Sequence, residues 1–389
     1  MSAPVYLDAN ATTPCDRSVV DAMLPYFTEH FGNPSSKVHS YGMRAGAAVD
    51  LAREQVAALI GAEPREIVFT SGATESNNLA ILGLLDASGA TTGQIVTGAT
   101  EHHAVLDPIA SLAARGVGAI LLKPGPDGRI DPDAVAAALT PDTRLVSIMA
   151  ANNEIGAVSD IAALGAVCRE RGVLFHTDAA QAVGKLPIDV RTFPVDMLSL
   201  TAHKLYGPKG VGALWIRGRG RPRVSVSPRQ FGGGQEGGLR SGTLPVPGIV
   251  GLGAAAVLAA KDLQSGELDR QRGLCDRLWA GISSLADVQV NGSMTARLPN
   301  NLHVSFAGVR AADLILALRH DVACSAGSAC STGSRTPSHV LTALGLPEDL
   351  AFSCLRFGIS RSTTDADIDR AVIAVKNAVG RLRSSDPIG

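Results

Sequence analysis

Apolar residues in this chain recur in two rhythms. Short, nearly unbroken apolar runs lie at 67–70, 94–98, 144–149, 173–178 and 197–200, and each gives way to glycine, asparagine, aspartate or threonine. Such runs predict strands buried on both faces. Between them lie Ala-rich stretches with helical spacing. The clearest is Ser40 to Ile60, where Val49, Ala52, Val56, Leu59 and Ile60 form one stripe and Gly61 ends it. A helix is also expected from Asp16 to Gly32, before the loop at 32–36, and another opening at Thr74. Strand–helix alternation continues to about residue 260 and predicts a parallel sheet covered on both faces. A long polar helix near 262–285 follows. Beyond it, Leu302–Phe306 and Cys354–Ile359 read as strands, and Ala311–Arg319 and Thr364–Leu382 as helices. The expected fold class is therefore α/β, with a large domain over 15–261 built on a mainly parallel sheet covered by helices. A smaller domain is expected from 262–389, joined by the arm 1–14.

Composition narrows the partners. The 389 residues carry a formal net charge of −1 without an acidic or basic block, so neither nucleic acid nor an anionic membrane is expected as partner. The N-terminus lacks the basic-then-apolar pattern of a signal peptide. The most apolar run, 244–260, is interrupted by two prolines and three glycines and reads as a buried helix after a loop. The six cysteines are too scattered for a disulfide framework and suit a reducing, cytoplasmic setting.

Chemistry collects where the apolar runs end, because ligands of open α/β sheets bind beyond the carboxyl ends of their strands. Lys204 follows the run 197–200 and is placed for a Schiff base with a carbonyl cofactor; otherwise it is one of 35 basic residues. Ser71-Gly72-Ala73-Thr74 joins a strand to a helix start, a phosphate-binding arrangement or an ordinary capped helix. His102 and His103 end another run. Adjacent side chains diverge, so one of them is expected to face the site. Asn152-Asn153-Glu154 and Asp178 end two more, and an aspartate there is suited to a pyridinium N–H, although a lone one is usually a turn residue. The stretch Phe231–Thr243 is a flexible linker or a binding loop. Cys330 sits in a run of Ser, Ala and Gly, where a thiol is a nucleophile candidate rather than core, whereas Cys324 reads as core. Arg356 in an apolar strand requires an anion, from a ligand or from a structural salt bridge.

Taken in order, these motifs resemble the pyridoxal-phosphate cysteine desulfurases of the NifS/IscS type, within the class V aminotransferases of PLP-dependent transferase fold type I. The resemblance spans nearly the whole chain. It runs from Tyr6-Leu-Asp8 through 70–78, Glu101-His102, 152–156, 178–181 and 202–204 to 240–243 and Ser325–Cys330. It implies that Lys204 carries pyridoxal 5'-phosphate, that Asp178 holds the pyridine nitrogen, and that His102 stacks on the ring and moves protons. Asn153 and Gln181 would bond its substituents. Ala73, Thr74, Thr201 and His203 would cradle the phosphate, and Thr243 would reach the cofactor of the other subunit of a homodimer. Arg356, with Asn153, would bind the carboxylate of L-cysteine, and Cys330 would take its sulfur as a persulfide, leaving alanine. The sulfur would pass to an iron–sulfur scaffold or another acceptor protein, in housekeeping cluster assembly or nitrogenase maturation. The resemblance assigns no resident metal, and leaves open whether Cys330 helps ligate a transferred cluster. A selenocysteine lyase or another fold type I transferase is the alternative enzyme. A sulfur-carrier or iron–sulfur scaffold protein is the non-enzyme alternative.

Overall fold

The computed structural model describes residues 3–89, 92–220, 224–327 and 336–385. The N-terminal arm enters as β1 (Val5–Tyr6). The main sheet is built from β2 (Ile67–Thr70), β3 (Gln94–Gly98), β4 (Gly118–Leu122), β5 (Thr143–Ser147), β6 (Leu174–Asp178), β7 (Met197–Thr201) and β8 (Gly212–Ile216). Its order is β2-β8-β7-β6-β5-β3-β4.

Side-chain alternation explains why the strands read as unbroken apolar runs. Successive side chains point to opposite faces, and both faces are covered. Val68, Ile95, Leu145, Leu174, Met197 and Leu214 enter one apolar cluster. Their neighbours Phe69, Val96, Val146, Phe175, Leu198 and Trp215 enter the other. The second cluster is closed by the helices Ser40–Ile60 and Val246–Asp262. These pack at short range because small residues face each other. A methyl group added at Gly253 would lie 2.8 Å from Ala52 Cα.

Two expectations about helices are corrected, whereas the sheet is mainly parallel as expected, with β8 running antiparallel to both β2 and β7. The short connection from Thr201 to Gly212 contains no crossover helix, so the chain doubles back beside the strand it has just left. The segment from Asp16 is two helices, Arg17–Met23 and Pro25–Thr28, because Pro25 has no N–H to continue the first. The helix expected near 262–285 is Glu267–Ile282, set at 74° to the preceding helix after Gly266 takes a left-handed conformation.

Beyond it, β9 (Val288–Val290), β10 (Asn301–Phe306) and β12 (Cys354–Gly358) form an antiparallel sheet in the order β12-β10-β9, while β11 (Val322–Ala323) pairs with β1. Val5 and Leu7 of the arm share an apolar cluster with Leu274, Leu278, Leu314, Phe357 and Val375. Cys324 is half-buried against that cluster, and burial pushes its thiol up to about 12. Among the described residues, no single helix is long and apolar enough to cross a membrane.

Candidate active site

The carboxyl ends of β2, β3, β5, β6 and β7 open on the same edge of the sheet, and the N-terminal arm crosses that edge. Lys204 lies in the single turn Ala202–Lys204 after β7. Its amine donates to the carbonyl oxygens of Asn10 and, at 2.7 Å, Ala11. Burial is the main cause of its lowered pKa, about 7, with Lys185 and Arg356 adding repulsion and Asp8 and Asp178 opposing it. A near-neutral amine at physiological pH is a nucleophile toward carbonyl carbon.

Asp178 ends β6 in a buried position. Its Oδ2 accepts from Asn77 Nδ2 at 2.7 Å and its Oδ1 from the Ala180 amide at 2.9 Å. Asn77 stands one turn into the helix Ala73–Ala87, so the helix after the glycine turn fixes the carboxylate. His102 caps the next helix. Its Nδ1 accepts from the Ala104 amide at 3.0 Å, which leaves the proton of the neutral ring on Nε2. Burial lowers its pKa; Asp178 opposes that shift and Lys204 reinforces it. His103 points outward and pairs with Asp107 at 3.1 Å, so only one of the two histidines faces the site.

The glycine turn has the form of an anion cradle. Gly72 has φ +148° and no side chain caps the helix that follows. Its first amides therefore face outward with the helix dipole behind them. A methyl group at Gly72 would sit 3.7 Å from Thr201 Oγ1, so Thr201 borders the turn. Ala73 is half-buried and Thr74 exposed. His203 is held through Nδ1 by Thr12 Oγ1 at 3.1 Å and kept neutral, its pKa lowered to about 4 by burial first and then by Lys204 and Lys209. The uncapped turn, the near-neutral lysine and the buried carboxylate are the donor set that a phosphorylated pyridine aldehyde requires.

Arg356 on β12 is buried. Its Nη2 donates to Asp8 Oδ1 at 2.9 Å and its Nη1 to the Asn153 carbonyl at 2.7 Å, while Nε has no protein partner among the described residues. The salt-bridge reading of this arginine is met by Asp8, with an edge of the guanidinium left over. Asn153 itself is half-buried. Gln181 Nε2 donates to the Asn10 carbonyl at 2.8 Å, and its Oε1 accepts from Lys185 at 3.2 Å.

Not every expected residue joins this cluster. Thr243 is exposed. Cys330 lies outside the described residues. The glycine-rich stretch before Thr243 is an anchored loop rather than a linker. Arg53 grips Glu236 with bonds of 2.8 and 2.6 Å, and Arg240 bonds Glu75 at 2.8 Å. Asp8, Asn10, Asn77 and Lys185 escaped the sequence reading. Asn77 was within reach of it, one helical turn after the glycine turn. Asn10 acts chiefly through its carbonyl, which residue type does not report.

With this geometry in hand, similarity to known proteins is informative. The Aminotransferase class-V family profile matches residues 5–371. The chain is 50% identical over 386 residues to a cysteine desulfurase IscS of Methylobacillus flagellatus, covering 99% of this chain and 94% of that protein. Among solved structures it is similar to a NifS-like protein, at 34% identity and a TM-score of 0.89 over 97% of this chain and 99% of the other. It is likewise similar to SspA in complex with cysteine, at 38% identity and a TM-score of 0.81 over 92% and 99%. The chain belongs to the class-V aminotransferase family.

Proposed function

We propose that this protein is a cysteine desulfurase that uses pyridoxal 5'-phosphate. The observation that carries the reading is the enclosure of a near-neutral Lys204 by Asp178, His102 and Arg356 at one sheet edge. The 50% identity to a protein named cysteine desulfurase supports it.

When bound, the cofactor supplies an electron sink that acidifies the substrate α-carbon. The residues of the chain do the rest. Lys204 holds the cofactor through Nζ, and once released carries a proton on that atom. Asp178 keeps the pyridine nitrogen protonated, and Asn77 prevents the carboxylate from turning away. His102, neutral and protonated on Nε2, would stack on the ring and move protons. The first amides of the helix from Ala73, with Thr74, Thr201 and His203, would hold the phosphate, and Gln181 would bond a ring substituent. Arg356 binds the substrate carboxylate through its remaining edge, beside Asn153. The Cys330 thiolate forms a bond to the substrate sulfur as the carbon–sulfur bond breaks. The electron pair returns to carbon, which is protonated to give alanine, and Cys330 keeps the sulfur as a persulfide.

We further propose a homodimer. Phe27, Phe31, Val38, Tyr41 and Met43 expose apolar side chains on neighbouring segments, and Thr243 is free to reach a second subunit. The boundaries near residues 15 and 262, a cytoplasmic setting and a sulfur-acceptor protein complete the proposal.

The test is mass spectrometry of intact protein after brief exposure to L-cysteine, with alanine assayed in the same tube. One added sulfur on Cys330 together with alanine is expected. Alanine without sulfur on Cys330 moves the thiol chemistry elsewhere, and neither product in cofactor-replete protein rejects desulfuration. Borohydride should fix the cofactor on Lys204, and fixation on another lysine overturns that assignment.

A further inference from the structure

Glu154 has no place in the proposed chemistry, yet it is one of the most enclosed carboxyl groups in the molecule, 1% exposed. It belongs to the strand-end loop that contains Asn153. Asn152 Oδ1 fixes that loop by accepting from the amides of Glu154 and Ile155 at 2.9 and 3.0 Å, and Asn301 Nδ2 donates to the Glu154 carbonyl at 3.0 Å. The backbone at Glu154 is therefore rigidly placed beside Asn153, whose carbonyl holds Arg356.

The carboxyl group reaches out of this loop to two points that flank Cys330 in sequence. On the far side, Ser338 Oγ donates to Glu154 Oε2 at 2.7 Å. The same hydroxyl accepts from the Val340 amide at 3.1 Å and so caps the helix His339–Ala343. On the near side, Gly327 passes directly over Oε2, and a methyl group there would lie 2.7 Å from that oxygen. Gly327 has φ +111°, a conformation that side chains disfavour, so position and conformation both call for glycine. The other wall of this passage is His303, whose Nε2 would lie 3.6 Å from the added methyl. Asn291 Nδ2 donates to His303 Nδ1, leaving the ring proton on Nε2, which has no protein partner among the described residues. A second tie runs in parallel, from His339 Nε2 to the carbonyl of Glu101, the residue before His102, at 2.8 Å.

We infer that Glu154 is a positioning residue for the sulfur-transfer step: its carboxyl group ties Ser338, on the far side of Cys330 in sequence, to the loop that carries Asn153, and walls the passage that Gly327 takes on the near side. The inference rests on the desulfurase reading for the step it serves, but the pinning is the Glu154–Ser338 hydrogen bond itself, with Gly327 packed against the same oxygen. The proposed chemistry gives Glu154 no part at the cofactor or the sulfur, so its effect is on where the thiol can reach. Burial pushes the carboxyl pKa up, while the Ser338 hydrogen bond and then His339 and Arg356 draw it down. A carboxamide of the same shape can still accept from Ser338.

The experiment compares wild type, E154A and E154Q as holoenzymes. Each is mixed with L-cysteine, the cofactor spectrum is titrated for substrate affinity, and the single-turnover rate of sulfur appearing on Cys330 is followed by mass spectrometry. E154A should slow that rate at least ~10-fold, the scale on which a misplaced reacting group loses rate, with substrate affinity unchanged. E154Q should recover to within about threefold, because one accepted hydrogen bond is what the substitution preserves. An unchanged rate in E154A, a parallel loss of substrate affinity, or an E154Q as slow as E154A overturns the inference. If wild type places no sulfur on Cys330, the desulfurase reading fails instead. The pinning is then judged from the rate of Cys330 alkylation by iodoacetamide in the resting proteins. A several-fold change in E154A that E154Q reverses supports it, and equal rates in all three overturn it.

Discussion

Individual side chains here are set by what surrounds them more than by their type. Arg356 is buried and Lys204 enclosed, but Arg356 keeps a planar fork, which in the proposed reading takes a carboxylate, whereas Lys204 becomes a near-neutral amine. Replacing Arg356 with lysine puts a point charge where two parallel donors are needed. L-cysteine binding should weaken about tenfold in a spectral titration, and an unchanged dissociation constant would count against the clamp. Buried histidines give a second prediction at this scale. His176, held between Ser147 and Ser199, and His303 have pKa values lowered to about 3 by burial. An unfolded chain binds these protons near pH 6.5, so their contribution to stability is complete above that pH and is lost as pH falls toward 3. Each contributes about 1.4 kcal/mol per pH unit within the window. Glu101, whose carboxyl pKa is pushed well above normal by burial, acts in the opposite sense. Urea midpoints measured from pH 6.5 to 5 should therefore fall, and H176Q should flatten the slope by about one histidine's share. An identical slope in H176Q would rule out a neutral, buried ring at that position.

At the scale of elements, the decisive feature is the reversal of β8. Because β8 runs back between β2 and β7, Gly212 lies between the ends of both. A methyl group there would come within 2.5 Å of the Leu200 carbonyl and 2.7 Å of Gly72 Cα. Backbone cannot yield as a flexible side chain does, so G212A should displace the glycine turn. Cofactor retention through gel filtration should drop at least ~10-fold, since the phosphate cradle depends on amide direction. Full retention would place the phosphate elsewhere. Apolar runs 67–70, 94–98, 173–178 and 197–200 gave their strands to within a residue, because a strand buried on both faces has little freedom in composition. The helix from Asp16 was misjudged for the opposite reason, since Pro25 ends it locally against a favourable apolar pattern.

For the whole molecule, the exposed apolar side chains near the N-terminus are the feature that a single chain does not satisfy. Phe31 is 64% and Met43 61% exposed, with Phe27 and Tyr41 close to those values. Such residues open together in one region mark an interaction surface, which in the proposed reading is the dimer interface. Sedimentation should find a dimer at micromolar concentration, and F31D with M43D should shift it toward monomer. A wild-type monomer would refute the second subunit and, with it, the role given to Thr243.

Sequence by itself determined the strand-end chemistry. A sheet buried on both faces leaves polar residues only where its strands stop, so Lys204, Asp178, His102 and the glycine turn were legible as a set. The ordered motifs also sufficed to suggest the family. Tertiary structure alone decided the partners: Asp8 on Arg356, Asn77 on Asp178, the Asn10 carbonyl under Lys204, and Glu154 against Gly327 and Ser338. All of these pairs lie more than a hundred residues apart in the chain, and one is made by a backbone carbonyl, which every residue possesses. Local pattern reports which face a side chain takes; only the packed fold reports what stands opposite it.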